Sequence, residues 1–280
     1  MTILVFGQTG QVARELQALT PVIALGRAEA NLTIPGSCFA AIEQHAPSVV
    51  INAAAYTAVD RAEEEEQLAT QVNGIAPSEM AQACAARDIP FIHLSTDYVF
   101  DGSGIEARHP FDRVEPLSAY GRSKLIGEKG VIAAGGRHVI LRTSWVFSAY
   151  GQNFVKTMLR LGRGRDHLSV VADQIGGPTP AAAIAQACVV IADQLAQDEF
   201  KAGTYHFAGA PDVSWANFAR AIFTYSGINC DVADIDTADY PTRARRPLNS
   251  RLDCSTLQTV FGIRRPDWQT GIAAVLQAIN

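Results

Sequence analysis

Thr2-Ile3-Leu4-Val5-Phe6-Gly7-Gln8-Thr9-Gly10-Gln11-Val12-Ala13-Arg14-Glu15-Leu16-Gln17-Ala18-Leu19 carries three textures in succession: a β-rich apolar run, a turn with two glycines, and a helix-forming run. The order is strand, glycine turn, helix. Gly7 permits the tight turn. Gly10 lets a pyrophosphate approach the backbone N–H groups at the helix start, and Ala13 keeps the helix close to the sheet. The spacing is G-x-x-G-x-x-A rather than G-x-G-x-x-G, and a plain strand-to-helix turn could use the same residues, so its weight depends on whether the rest of the chain repeats the pattern.

The alternation does continue. Pro21–Leu25 and Ser48–Asn52 read as the second and third strands, and Phe91–Ser95 as the fourth after a helical stretch from Ala69 to Arg87. Ser118 is placed to cap a helix through Tyr120, Lys124 and Glu128, and His138–Thr143 reads as a fifth strand. Strands and helices at this spacing predict an α/β fold with a doubly wound parallel Rossmann sheet over residues 1–147. The texture beyond is less regular. Residues 148–280 are expected to form a smaller substrate-binding lobe, with segments such as Gly203–Phe207 returning to complete the sheet.

The second strand ends at Gly26-Arg27 with no acid to hold an adenosine ribose. Arg27 can pair with a 2′-phosphate, so NADPH is expected and NADH stays open; the plain alternative is an arginine in a solvated loop. Ala53, Ala54 and Ala55 after the third strand let the backbone pass close to a flat cofactor. Glu63-Glu64-Glu65-Glu66 reads as the water-facing first turn of a helix rather than a metal site. His93, inside an apolar alternation, reads as a packed core histidine. The polar stretch from Gly102 to Pro116 resembles a loop over an active site.

Composition narrows the classes. With 280 residues and a net charge of −5 the chain can bury a sizeable core, and it lacks the basic excess usual for nucleic-acid or anionic-membrane binding. Five scattered cysteines without metal-type spacing suggest reduced thiols in the cytoplasm. Met1 leads into a strand without a basic n-region, and no apolar stretch approaches roughly 20 residues, so neither a signal peptide nor a membrane span is expected.

The chemistry centres on Ser95-Thr96-Asp97-Tyr98 and Tyr120-Gly121-Arg122-Ser123-Lys124. Residues four apart on a helix share a face, so the Tyr120 phenol and the Lys124 ammonium can enter one cleft. A phenol has a free pKa of roughly 10, and a neighbouring ammonium is expected to lower it. A hydroxyl at Thr96 could donate to the same carbonyl oxygen that the phenol protonates. By itself Y-x-x-x-K often marks only a partly buried tyrosine beside a surface lysine. The glycine turn, the hydroxyl after the fourth strand and the Tyr-Lys pair, in that order, resemble the extended short-chain dehydrogenase/reductase superfamily.

Longer blocks resemble one family within it. Asn52-Ala53-Ala54-Ala55-Tyr56-Thr57-Ala58-Val59-Asp60, Ser95–Phe100, Arg142-Thr143-Ser144-Trp145-Val146-Phe147, Asn153–Met158, Asp173–Thr179 and Arg246-Pro247-Leu248-Asn249-Ser250-Arg251-Leu252 are similar to the dTDP-4-dehydrorhamnose reductase family. The resemblance implies NAD(P)H-dependent reduction of the C4 ketone of dTDP-4-dehydro-L-rhamnose to dTDP-L-rhamnose, an activated sugar for cell-surface polysaccharide. It implies Tyr120 as proton donor, Lys124 on the nicotinamide ribose, and Thr96 tuning the phenol and binding the sugar. Gly7, Gln8, Thr9, Gly10, Gln11 and Ala53–Ala55 would line the dinucleotide. Thr57, Val59, Asp97 and Trp145 would approach the sugar nucleotide, although Trp145 could equally be a core aromatic. Arg246, Asn249 and Arg251 are diphosphate candidates, Arg251 equally a surface residue.

The chain departs from the family where Gly26 and Asn31 replace frequent acids and Ala13 replaces a third glycine. Some members dimerise through magnesium. Glu15 matches one carboxylate of that site, but the stretch from Gln186 to Gln194 shows no matching acidic pair, so no metal is expected; a homodimer stays open. Three rivals remain. Sugar-nucleotide dehydratases place Glu after the Asp that Asp97 matches, where this chain has Tyr98. Another nucleotide-sugar 4-ketoreductase would use the same residues. A non-catalytic NADP-binding regulatory subunit, like that of methionine adenosyltransferase, would tolerate loss of Tyr120 or Lys124, and both are present.

Overall fold

A computed structural model describes residues 1–279. Ile3–Phe6 (β1), Ile23–Leu25 (β2), Val49–Asn52 (β3), Phe91–Thr96 (β4) and His138–Thr143 (β5) form a parallel sheet with a sixth strand, Gly203–His206. Its order is Gly203–His206, β5, β4, β3, β1, β2, every neighbour parallel. The strands β1 and β3 are buried end to end, as a sheet covered on both faces requires.

Alternation along the strands builds two cores. Ile3, Val5, Ile51, Ile92 and Leu141 pack against Val12 and Leu16 of Gln11–Leu19 (α1). Leu4, Phe6, Val50, Phe91 and Ile140 pack on the other face against Ile42 of Ser37–His45 (α2). The chain leaves β1 toward β2 on one side, then crosses back to β3 on the other and continues outward to β4. That reversal opens a crevice beyond their C-terminal ends, where such sheets bind ligands.

The helix expected from Ala69 to Arg87 is divided. Glu66–Thr70 (α3) runs into a π-helical turn over Gln71–Ile75 and then Ala76–Ala85 (α4). Pro77 supplies the reason: it has no N–H for the carbonyl of Asn73, and its ring crowds that oxygen, so the helix widens there. Ala119–Ala134 (α5) seats closely on that buried carbonyl, since a Cβ on its Gly127 would lie 2.2 Å from Asn73 O.

The acidic run also differs from expectation. Arg61–Glu63 is a 3-10 turn and α3 starts only at Glu66. Instead of simply facing water, Glu63 accepts Ala119 N–H at 2.9 Å, Glu65 accepts the Tyr56 hydroxyl at 2.6 Å, and Glu66 holds Arg122 through two bonds of 2.7 and 3.0 Å. Glu64 pairs with Arg243, which lies far along the chain.

Past Phe147 a third core gathers Val155 and Leu159 of Phe154–Gly162 (α6), Phe218 and Ile222 of Trp215–Ser226, and Trp268 and Ile272 near the C-terminus. Ala181–Gln197 (α7) instead packs Ile184, Ile191 and Leu195 on the first core of the large sheet. No described helix is long and apolar enough to cross a membrane.

Candidate active site

A cleft of about 770 Å³ opens where β1 and β3 diverge, lined by residues 7–12, Gly26, Arg27, Ala53–Ala55, Thr57, Tyr120 and Lys124. Gly7 has φ of +114°, and a Cβ there would press to 3.2 Å from the Ala53 carbonyl carbon and the Ala54 nitrogen, so this crossing needs glycine. At Gly10, the N-cap of α1, no side chain caps the helix. Its first N–H groups are therefore free for a phosphate at the positive end of the helix. These features fit a pyrophosphate-linked dinucleotide.

Three residues after Gly26 stands an acid that the sequence reading missed. Glu29 folds back so that its carboxylate accepts Gly26 N–H at 2.9 Å, at the end of β2. A residue off the usual register, reached by a loop turning on itself, leaves no signal in the spacing. Asn31 and Thr33 line the same end of the cleft, with Asn31 Oδ1 accepting both the Thr33 amide and hydroxyl. Residues from the second half, Val146, Gly151 and Gln152, form the opposite lip. They are held there by Asn153 Nδ2 donating to Gln11 Oε1 at 2.9 Å and by Arg14 stacked 4.8 Å over the Tyr150 ring. Glu15 accepts the Ser148 hydroxyl at 2.5 Å. Among the described residues no group of three potential metal ligands occurs.

The first of the residues expected to handle the proton sits at the C-terminal end of β4. Thr96 ends the strand, and its oxygen accepts Tyr98 N–H at 3.2 Å while its hydroxyl donates to Asp97 Oδ1 at 3.0 Å. Asp97 is buried, with the Ser250 hydroxyl donating to Oδ2 at 2.5 Å. Burial pushes its carboxyl up to about 6, against the pull of the Ser250 and Thr96 hydrogen bonds. Ser250 lay within a family-like block, yet nothing in its spacing pointed to Asp97.

Ser118 caps α5 as expected, its oxygen accepting Gly121 N–H at 3.2 Å. Two residues on, Tyr120 faces Tyr98 edge to face with ring centroids 5.5 Å apart. Its phenol is pushed up to about 12 by burial and by Asp97, with a Thr96 hydrogen bond opposing. This reverses the lowered value expected from a neighbouring ammonium. The physical reason is that Lys124 points its amine back into the sheet, donating to Leu94 O at 2.7 Å and lying 3.3 Å from His93 Nε2. Lys124 is only 2% exposed, and burial brings its amine down to about 8, with Glu128 opposing. His93 is indeed in the core, but hydrogen-bonded rather than merely packed.

Of the other residues expected to meet a sugar nucleotide, Thr57 lines the cleft, whereas Val59, Trp145, Arg246 and Asn249 lie outside its lining. Thr57 reaches the cleft, and Val59 N–H donates to Thr57 O at 2.9 Å. Trp145 has φ of +48°, a strained backbone for so bulky a residue, and stacks on Trp215 with centroids 3.6 Å apart. Arg246 pairs with Asp60 at 2.5 Å, its second terminal nitrogen being buried without a partner. Asn249 is spent on the loop ahead of α5: its amide donates to Glu106 O at 2.8 Å and its oxygen accepts Arg251 Nη1 at 3.1 Å. Asn249 therefore fixes that loop, and Arg251 is tied to it.

A family model described as RmlD substrate binding domain matches residues 1–280. A dTDP-4-dehydrorhamnose reductase of Sinorhizobium fredii is 44% identical over 289 residues, covering 100% of this chain and 98% of that protein. The crystal structure of a dTDP-4-dehydrorhamnose reductase from Clostridium acetobutylicum superimposes with a TM-score of 0.94 at 36% identity, over 100% of this chain and 99% of that one. Another, from Bacillus anthracis in complex with NADP, gives 0.91 at 32% identity over 99% and 100%. With its whole length matched, and with the dinucleotide cleft and the Thr-Tyr-Lys constellation in one place, the chain belongs to the dTDP-4-dehydrorhamnose reductase family.

Proposed function

We infer that the protein reduces the C4 ketone of dTDP-4-dehydro-L-rhamnose to dTDP-L-rhamnose with a nicotinamide dinucleotide. The observation that carries this reading is the convergence of the uncapped helix end, Ala53–Ala55, Tyr120 and Lys124 on one cleft, with Thr96 and Asp97 following directly on the cleft-lining Ser95. The reduced nicotinamide supplies the hydride when bound. Tyr120 gives its hydroxyl proton to the C4 oxygen as charge develops there, so that C4 gains hydrogen and its oxygen becomes a hydroxyl. A phenol held at about 12 is fully protonated at neutral pH, which suits an acid in the direction of reduction. The Thr96 hydroxyl orients the same oxygen, and Lys124 holds the nicotinamide ribose.

Gly7–Gln11 and Ala53–Ala55 hold the dinucleotide in this reading, with Arg27 favouring NADPH and Glu29 giving the NADH ribose an acceptor. Thr57, Val59, Asp97, Trp145 and Arg246 form the sugar-nucleotide side, where the lobe of residues 148–280 faces the Rossmann domain of residues 1–147. Tyr98 rather than a second carboxylate follows Asp97, and it is packed on Tyr120, which leaves no acid-base pair for elimination of water. Five buried free thiols accord with a cytoplasmic enzyme.

The test is dinucleotide consumption with enzymatically generated dTDP-4-dehydrorhamnose, compared with GDP- and UDP-linked keto-sugars. A clear preference for the dTDP sugar is expected. Equal use of all three would overturn the nucleotide assignment, and turnover of none would overturn the enzymatic one.

A further inference from the structure

Behind Lys124 lies a buried chain of polar groups that no step of the reduction uses. His93 and Asn52 stand side by side on β4 and β3, both fully buried. Asn52 Nδ2 lies 3.1 Å from His93 Nδ1, and Asn52 Oδ1 accepts Ala54 N–H at 3.1 Å. On its other edge the imidazole presents Nε2 to Lys124 Nζ at 3.3 Å. The row therefore runs from the backbone at Ala54, beside the cleft, to the amine carried on Tyr120's helix.

Donor and acceptor roles along this row are forced from one end. A backbone N–H can only donate, so the Asn52 oxygen must face Ala54 and its NH2 must face His93. His93 Nδ1 must then accept, and a neutral imidazole carries its hydrogen on Nε2. That hydrogen points at Lys124. An ammonium at Nζ would set N–H against N–H, whereas an uncharged amine offers a lone pair to His93 and keeps its donor bond to Leu94 O. Burial holds the imidazole well below its ordinary range, so it does not ionise to change these roles.

We propose that His93, its tautomer fixed by Asn52, is a positioning residue that fits the uncharged amine of Lys124 and thereby makes this lysine exchange its proton within the working pH range. The proposal rests on the reading of Lys124 as the ribose-holding residue beside the reacting centre. The other ionisable groups around the lysine do not take over this part. On its own helix Tyr120 is held protonated and Glu128 is engaged by Arg142 at 2.7 Å and Ser95 at 2.5 Å. Arg142 on β5 is consumed by that pair, and Asp97 beyond β4 is held by Ser250 and Thr96. The carboxylates Glu63, Glu65 and Glu66 on the segment packed against α5 are bound to Ala119, Tyr56 and Arg122.

The direct experiment is nitrogen-15 NMR of histidine-labelled wild-type protein, which reads the tautomer without turnover. The expected result is a neutral His93 with hydrogen on Nε2 across neutral pH. Hydrogen on Nδ1, or an imidazolium, would overturn the proposal. The second arm is His93→Gln, whose amide oxygen can turn toward Nζ and accept from an ammonium. Its basic limb of kcat against pH is expected to move up by about one unit, with KM for the dinucleotide little changed. Loss of rate with the limb unmoved would mean a structural role only, and would also overturn it. Full turnover in Lys124→Met would instead contradict the catalytic placing of the lysine, which the tautomer measurement does not depend on.

Discussion

At the scale of single residues, Tyr120 and Asp97 share one environment that favours the protonated form of each. Burial holds the phenol protonated, ready to act as an acid, and Tyr120→Phe is expected to lower kcat by about 10²- to 10⁴-fold with KM little changed. An unchanged kcat would assign the proton to another group. Burial also raises the Asp97 carboxyl from 3.8 to about 6. A carboxyl that binds its proton more tightly when folded stabilises the native state below its unfolded pKa and loses that contribution as pH rises through the folded one. Between roughly pH 4 and 6 the wild-type melting temperature should therefore carry a downward component with rising pH that Asp97→Asn lacks; identical slopes would contradict the burial effect. Thr96, Tyr120 and Lys124 were legible in sequence because their spacing alone places them at a strand end and on one helical face. His93, Ser250 and Glu29 were not, because each acts through a partner brought by another strand, another lobe or a folded-back loop. The left-handed backbone of Trp145 is likewise a product of tertiary packing, invisible in the letters.

At the scale of elements, the buried pair of Glu128 on α5 and Arg142 on β5 locks α5 to the sheet. Its two direct bonds, 2.7 and 2.9 Å, are supplemented by Ser95 on the glutamate and by Pro110 O, which accepts from Arg142 at 3.1 Å. One network thus ties α5, β4, β5 and the loop ahead of the helix. Glu128→Ala is expected to cost about 3–5 kcal/mol in denaturant unfolding, because it strands a buried guanidinium, and replacing both partners by apolar residues should recover much of that loss. A loss below ~1 kcal/mol in the single variant would show the pair to be solvated. The seat of Gly127 on the Asn73 carbonyl leads to a second expectation. Gly127→Ala should destabilise by about 1–3 kcal/mol, since a Cβ at 2.2 Å forces α5 away from the π-helical turn. Helix and strand order was readable from alternation throughout the first half. The widened turn was written in Pro77, but its use as a docking point appears only once α5 is laid against it. The acidic run looked like a solvated first turn because its partners come from three different places in the chain, Tyr56, the first turn of α5 with Ala119 and Arg122, and Arg243.

At the scale of the whole molecule, the order of strands places the dinucleotide crevice at the reversal between β1 and β3, and residues of the second half close it from the other side. The parallel sheet was legible because buried βαβ strands read as continuous apolar runs. The path of the second half was less so, since its short strands pair across long stretches of chain, as Asp231–Ile235 does with His167–Val171. Cofactor choice belongs to this scale because Arg27 lines the far end of the crevice while Glu29 is bound to the amide of the neighbouring Gly26. Arg27→Ala is expected to lower kcat/KM for NADPH by about 10-fold while leaving NADH nearly unchanged, as the loss of one phosphate contact would. An equal effect on the two would remove Arg27 from that role. The central claim is hydride transfer to the sugar ketone with Tyr120 as the acid, and a single-turnover measurement with dTDP-4-dehydrorhamnose and deuterated NADPH tests it most directly. Wild-type protein should form dTDP-rhamnose carrying deuterium at C4, and Tyr120→Phe should bind both reactants yet transfer at least about 10²-fold more slowly. Product without deuterium at C4, or equal transfer by the variant, would contradict the claim.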